Sequence, residues 1–465
     1  MSRGRLAVHA HFYQPSRVDP WSGRVPVEPA AAPFHDWNQR VDAECYRPNA
    51  ERGTLEHISW DLGPTLGAWL ATEDPGTHAR FTAANASAIA QPYHHSILPL
   101  ASAADRRTEI AWGIRDFEIR FERRPTGLWL PETAVDLATL RDAVRQGIRF
   151  TILAPWQAAE AALDTRLPYR VDLGHDESIV VFFYDSSLSA AVSFEPEATA
   201  DADGFARDRV EPRLGGGPAP LDSPLALIAT DAELYGHHQQ FRDLFLQRLV
   251  APEATSHRGF DIVKLTDIAA DAERSARPVR ILERTSWSCH HGIARWSAEC
   301  PDAADGRWKG PLRAALERLA GAIDVVAAGA FTELGRDLDA DAARDAYVDV
   351  VAGIAQADDF VAERWPDATP EDRHRIGDLL EAQRWRLAMF ASDGWYWDDP
   401  VRLETRQILR AAARAVRLVD ATAGTRLERR LVDDLRTITS PSRGIDGAAI
   451  YSMALADIDQ PAPHL

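Results

Sequence analysis

The chain has 465 residues, 45% of them apolar, and its 70 acidic residues against 52 basic ones leave a formal net charge of −18. That length suits about three average domains, or one barrel joined to a helical bundle. The acid excess argues against nucleic acid and anionic membranes, which need basic patches, and suits a neutral partner. The three cysteines, Cys45, Cys289 and Cys300, make no disulfide framework. The opening "MSRGRLAVHAHFYQP" reaches histidines and proline too soon for a secretory signal, and no uninterrupted apolar segment approaches the roughly 18 to 20 residues of a membrane span. A cytoplasmic protein is expected.

Along the chain, "RLAVHAHF" (5–12) is a strand candidate that places His9 and His11 on one face, with Gln14 close behind. "TGLWLPE" (126–132) ends in Glu132, and "ETAVDLATLRDAVRQG" (132–147) carries helical spacing. "RFTILAP" (149–155) and "SIVVFFYDS" (178–186) are further strands, and "DADGFARDRVEPRLGGGPAPLDSP" (201–224) is a Gly/Pro-rich loop. "LALIATDAE" (225–233) then delivers Asp231 and Glu233, followed by His237, His238 and a helix over 238–250. Alternating strands and helices indicate a parallel sheet or barrel. From residue 310 the pattern turns helical: apolar residues recur every three or four positions over 310–334, 341–355, 370–390 and 402–424. Pro311 and Pro370 sit where helix starts accept proline. An α/β catalytic domain over 1–309 and a helical domain over 310–465 are predicted.

Chemistry-bearing residues gather at predicted strand ends, where α/β proteins handle ligands. Glu132 and Asp231 each follow a strand. Two carboxylates converging on one barrel mouth are what glycoside hydrolysis needs, one at the anomeric carbon and one protonating the leaving oxygen. Blander uses compete. Glu132 would be favoured at the N-terminus of the 132–147 helix, Asp231 as a turn cap, and His9 and His11 as satisfied core histidines. Most of the fourteen tryptophans are expected in cores, although one or two should stack on sugar rings; Trp287 and Trp395 are the candidates. Asp393 either reaches across a cleft or ends a helix. Cys289, His290, His291 and Cys300 hint at zinc, but their spacing matches no strong zinc pattern, and unliganded thiols are expected.

"HAHFYQP", "PYHHSILPLA", "GLWLPET", "TDAELYGHH" and "ASDGWYW" resemble, in order and character, the motifs of glycoside hydrolase family 57, over roughly residues 5 to 400. The resemblance implies an incomplete (β/α)7 barrel followed by a C-terminal helical domain that closes over the cleft. It also implies a retaining enzyme acting on α-glucans or maltooligosaccharides, of the amylase, 4-α-glucanotransferase or branching type, with no cofactor or metal. Glu132 matches the family's nucleophile, Asp231 its general acid/base, and His11 and His9 the histidines flanking the attacked sugar. Gln14, Trp129, Glu233, His237, Trp287, Asp393 and Trp395 are expected to line the sugar path. The chain departs from the family in carrying His238 after "GH", in a loose second motif at 44–52, and in "SWSCHHGIARW" (286–296). Two other readings compete. One is a metal-dependent deacetylase or α-mannosidase-like enzyme recruiting His9, His11, Asp231 and His237; the other is a non-catalytic glucan-binding protein.

Overall fold

A computed structural model describes residues 3–215, 223–255, 257–333 and 340–456. The chain divides into two compact units: residues 1–14, 28–92 and 117–287 form the first, and 15–27, 93–116 and 288–465 the second.

The first unit is built on parallel strands. β1 (Gly4–Phe12) pairs with β2 (Ser59–Leu62) on one side and with a later strand, Leu225–Asp231, on the other. β3 (Ala88–Ile89) continues from β2, and parallel bridges Ala90–Leu128 and Gly127–Phe150 carry the wall through residues 127–128 to β4 (Phe150–Leu153). β5 (Pro168–Gly174) forms an antiparallel hairpin with β6 (Glu177–Phe183), and β6 lies parallel to β4. β7 is Leu225–Asp231, β8 (Phe260–Ile262) pairs with the start of β1, and β9 (Arg277–Val279) with β5. The parallel wall therefore has seven members, in the order β7, β1, β2, β3, 127–128, β4, β6. Among the described residues β6 and β7 share no ladder; Asp185 N–H donates to the Leu227 carbonyl at 2.7 Å across that seam. This is the incomplete (β/α)7 barrel. Its strands are buried on both faces, so their sequences are continuous apolar runs rather than alternating ones. Ala7, Ile89, Phe150, Ile152, Phe182 and Leu227 form the core between them.

Two expectations change here. The helix predicted over 132–147 starts only at Leu137, with Asp136 as N-cap accepting the Thr139 N–H at 2.7 Å. The stretch 201–215, expected to be loop, is helical over Ala202–Phe205, Ala206–Val210 and Glu211–Gly215. Its glycines and prolines cluster at the far end, whereas Asp201 caps its start; residues 216–222 lie outside the described residues.

The second unit is helical, with Lys309–Glu333, Pro370–Ala388 and Leu403–Ala423 as its long helices. Thr369 caps the second of these by accepting the Asp372 N–H, with Pro370 directly after it. The 341–355 pattern splits into Ala340–Ala346 and Val348–Val351. The unit begins at 288 rather than 310 and takes in 15–27 and 93–116. Single anchors explain that difference. The Trp112 indole donates to the Arg344 carbonyl at 3.1 Å, and Arg313 donates to the Trp296 carbonyl at 2.7 Å. No periodicity in the sequence reveals such long-range links.

Candidate active site

Three neighbouring strands of the first unit place Asp61, His11 and Asp231 in one row, since His11 of β1 is in register with Asp61 of β2 and Asp231 of β7. Asp61 is fully buried. Its carboxylate meets His9 Nε2 at 2.9 Å and His11 Nδ1 at 2.8 Å, and accepts the Gln91 amide at 2.7 Å. Burial pushes the Asp61 carboxyl up, but the charge and hydrogen bonds of His11 and His9 outweigh it and hold the group below its ordinary value. For His11, burial works against the proton, yet Asp61, helped by Asp231 and Glu233, raises its pKa to about 9. His9 goes the other way, because burial dominates the pull of Asp61. These directions favour an ionised Asp61 with a charged His11 beside it and a neutral His9 on its other oxygen.

Below this row lies an aromatic platform. Trp129 stacks against His9 and His11 with ring centres 4.9 and 5.0 Å away. Trp287 meets Trp129 edge-on at 5.0 Å. Trp287 also binds Glu132 twice: its indole N–H donates to the Glu132 carboxylate and its backbone N–H to the Glu132 carbonyl, each at 3.0 Å. Glu132 occupies a 3-10 turn, Pro131–Thr133, with φ +56°, and Thr133 has φ +48°. Two consecutive left-handed, non-glycine residues are strained and persist only where their surroundings impose them. The helix-terminus explanation for Glu132 is therefore set aside: the helix starts five residues later, and the carboxylate is held by an indole.

Asp231 is solvent-exposed. The crowding of protein around its carboxyl raises the pKa, and His11 and His238 only partly counter that shift. Tyr184 is close enough to feel the Asp231 charge and meets Trp287 edge-on at 6.4 Å. Trp287 and Tyr184 therefore connect the Glu132 and Asp231 surroundings. Glu233, two positions on, is buried and accepts the Tyr46 hydroxyl; burial and the Asp231 charge push its pKa up to about 7. His237 Nδ1 pairs with Glu44, and Gln14 hydrogen-bonds Tyr46. Gly236 makes the turn possible: it has φ +148°, and a Cβ there would stand 2.2 Å from the Glu44 carbonyl oxygen.

The structure gathers Glu132, Asp231, His9, His11, Gln14, Trp129, Glu233, His237 and Trp287 in the first unit. Trp129 and His9 are 0% exposed, so they support the row from beneath rather than offer a face to a sugar; this corrects their assignment to direct contact. Trp395 is likewise 0% exposed, packed beneath Arg313 at 4.3 Å and donating to the Lys309 carbonyl at 3.3 Å, which corrects its assignment as a stacking platform. Asp393 stands beside it in the second unit, where the "PYHH" and "ASDGW" motifs meet through His95 and Ser392, whose side chains are 2.8 Å apart. Sequence reasoning missed Asp61, Gln91, Tyr46, Glu44 and Tyr184. Asp61 lies in "SWDL", a strand whose serine and aspartate break the apolar run that marks the others; Glu44 and Tyr46 lie within the loosely matching second motif.

The metal alternative needs His9, His11, Asp231 and His237 to present free ligand atoms to one point. Here His9 and His11 are each engaged by Asp61, and His237 by Glu44. Among the described residues, the group of such side chains whose ligand atoms lie within 4.8 Å of one another is elsewhere, at Cys289, His291, Cys300 and Asp302.

Residues 83–281 match the model of glycosyl hydrolase family 57, and residues 305–458 match a domain of unknown function, DUF3536. No curated protein matches the chain in sequence. Among solved structures, an exo-type maltose-forming amylase from Pyrococcus sp. ST04 superposes with a TM-score of 0.75 at 14% identity, covering 97% of this chain and 88% of that one. A family 57 branching enzyme from Pyrococcus horikoshii gives 0.59 at 15% identity, over 98% and 94%. A 4-α-glucanotransferase from Thermococcus litoralis gives 0.56 at 13% identity, over 88% and 60%. The stretch that carries Glu132 and Asp231 is thus similar to glycosyl hydrolase family 57, and the helical region after it matches a family model of its own.

Proposed function

We propose that this protein is a retaining glycosidase or transglycosylase acting on α-linked glucans by double displacement. The reading is supported most by one arrangement: Glu132, held by the Trp287 indole in a strained turn, and Asp231, whose pKa is raised, share one aromatic surround. Glu132 attacks the anomeric carbon while Asp231, protonated, gives its proton to the departing oxygen. Asp231 then takes a proton from water or a sugar hydroxyl, which releases the glycosyl group from Glu132 with retention. A raised pKa suits a carboxyl that must start protonated near neutral pH. Positively charged His11, in register beside Asp231, is suited to bind a sugar hydroxyl. The amylase, branching enzyme and glucanotransferase with the same fold make α-glucans the first substrates to try.

The test is incubation with maltooligosaccharides of defined length. Shorter products alone indicate hydrolysis, and longer ones together with shorter indicate transfer; proton NMR of the first product should show the α-anomer. Inverted product, or turnover that persists in Glu132→Gln, would overturn the proposal.

A further inference from the structure

Outside the barrel, the irregular segment that opens the second unit brings four ligand-type side chains together. Cys289 and Cys300 are both buried and free, with sulfurs 3.5 Å apart, far beyond the roughly 2.05 Å of a disulfide. His291 Nδ1 lies 3.6 Å from Cys300 Sγ and 3.3 Å from Asp302 Oδ2. All four ligand atoms fall within 4.8 Å of one another. Around a tetrahedral zinc ion with bonds of about 2.3 Å to sulfur and about 2.0–2.2 Å to nitrogen and oxygen, the S–S, S–N and N–O edges should be about 3.8, 3.6 and 3.4 Å. The Cys289–Cys300, Cys300–His291 and His291–Asp302 edges are already close to those lengths.

We propose that Cys289, His291, Cys300 and Asp302 bind one thiophilic divalent cation, zinc in the first instance, as a closed structural site.

The surroundings fit that charge. Backbone N–H groups of His291 and Arg295 hydrogen-bond the Cys289 sulfur. Gly292, at φ +78°, turns the chain directly after His291. Two thiolates, a carboxylate and a dication leave one negative charge. Lys309 is wholly buried, its Nζ has no hydrogen-bond partner, and it feels the charges of both cysteines; its ammonium offsets the remainder. On binding, each thiol releases its proton to solvent. The role follows from position. Residues 288–308 contain one short 3-10 turn, Ala294–Trp296, and otherwise irregular backbone, so a metal clip supplies the local stability that helix or sheet would give elsewhere. Four protein ligands leave no open position for catalysis.

The full-length chain, purified without chelators, should carry about one zinc per chain by elemental analysis. Loaded instead with cobalt(II), it should show thiolate-to-cobalt charge transfer and the strong visible bands of a tetrahedral site. Cys45→Ser, in the first unit, should keep both signals. Asp302→Ala removes an exposed ligand and leaves the buried thiols in place, so its fold can be verified by circular dichroism; it should lose zinc to a weak chelator at least tenfold faster. Three results would overturn the proposal: a folded chain that takes up no cobalt beyond the Cys289→Ser level, a cobalt spectrum without thiolate charge transfer, or a Cys289–Cys300 disulfide in the freshly purified protein.

Discussion

Asp61 decides the charge state of the site although it touches no sugar in the proposed mechanism. Its buried carboxylate raises His11 to about 9, against an ordinary value of about 6.5. Two outcomes follow. Because the folded-state pKa lies above the unfolded one, this pair stabilises the protein fully below about pH 6.5, and the contribution is lost as pH rises towards about 9; the thermal midpoint should fall across that window. Asp61→Asn removes the anion but keeps the shape, so burial is then opposed only by the weaker pull of Asp231 and Glu233, and the His11 pKa drops. The alkaline limb of the kcat/KM profile should move down by about one unit or more, and an unmoved limb would rule His11 out as its source. For the carboxylate pair, Glu132→Gln should abolish turnover of α-glucans with the fold intact. Asp231→Asn should do so for natural glucans, yet spare substrates with good leaving groups, which need little acid assistance. Equal, large losses of thermal stability in both variants would assign these residues to structure instead.

At the scale of elements, the barrel wall supplies rows and the turns between supply aim. Trp287 follows β9 and reaches back to Glu132 on a different turn. Trp287→Phe keeps the packing against Trp129 but removes the donor. A hydrogen bond to a charged group is worth about 1.5–3 kcal/mol, so kcat should fall roughly ten- to a hundredfold; an unchanged kcat would show that the indole only fills space. Gly236 has a comparable task for the "LYGHH" turn. Gly236→Ala drives a methyl into the Glu44 carbonyl and should destabilise by about 2–3 kcal/mol. Gly424→Ala, at a left-handed helix end with nothing within 4 Å of the added methyl, should cost only about 1 kcal/mol. Thermal midpoints of the two variants, measured side by side, check the ranking.

Across the whole molecule the excess of negative charge, −18, bears on what approaches it. A neutral glucan feels none of that field, so KM for maltooligosaccharides should hardly change between low and high salt. A KM that changes steeply with ionic strength would point to a charged substrate. None of the described helices is long and apolar enough to cross a membrane. The division into two units also sets where chemistry concentrates. The carboxylates and histidines of the proposed reaction sit in the barrel unit, and the cysteine cluster in the helical one.

Glu132, Asp231, His9 and His11 were legible because a buried parallel strand is an unbroken apolar run, so the first polar residues at its end stand out. The long helices of the second unit were legible for a similar reason: their apolar spacing repeats over 19 residues or more. The sequence by itself therefore determined the longest strands and helices and the polar residues at the strand ends. What it left open depends on contacts between residues far apart in the chain. Asp61 bonds histidines some fifty positions earlier, Trp287 bonds Glu132 across 155, and Trp112 anchors to Arg344 across 232. Cys289, His291, Cys300 and Asp302 are near in sequence yet match no familiar spacing, because an irregular loop rather than a repeating element brings them together. Local periodicity reports which face of an element is buried. Only the barrel and the packed helices decide which residues then meet, and hence that Asp61 favours the protonated form of His11, that Trp129 and Trp395 are core, and that Glu132 is held by an indole rather than by a helix.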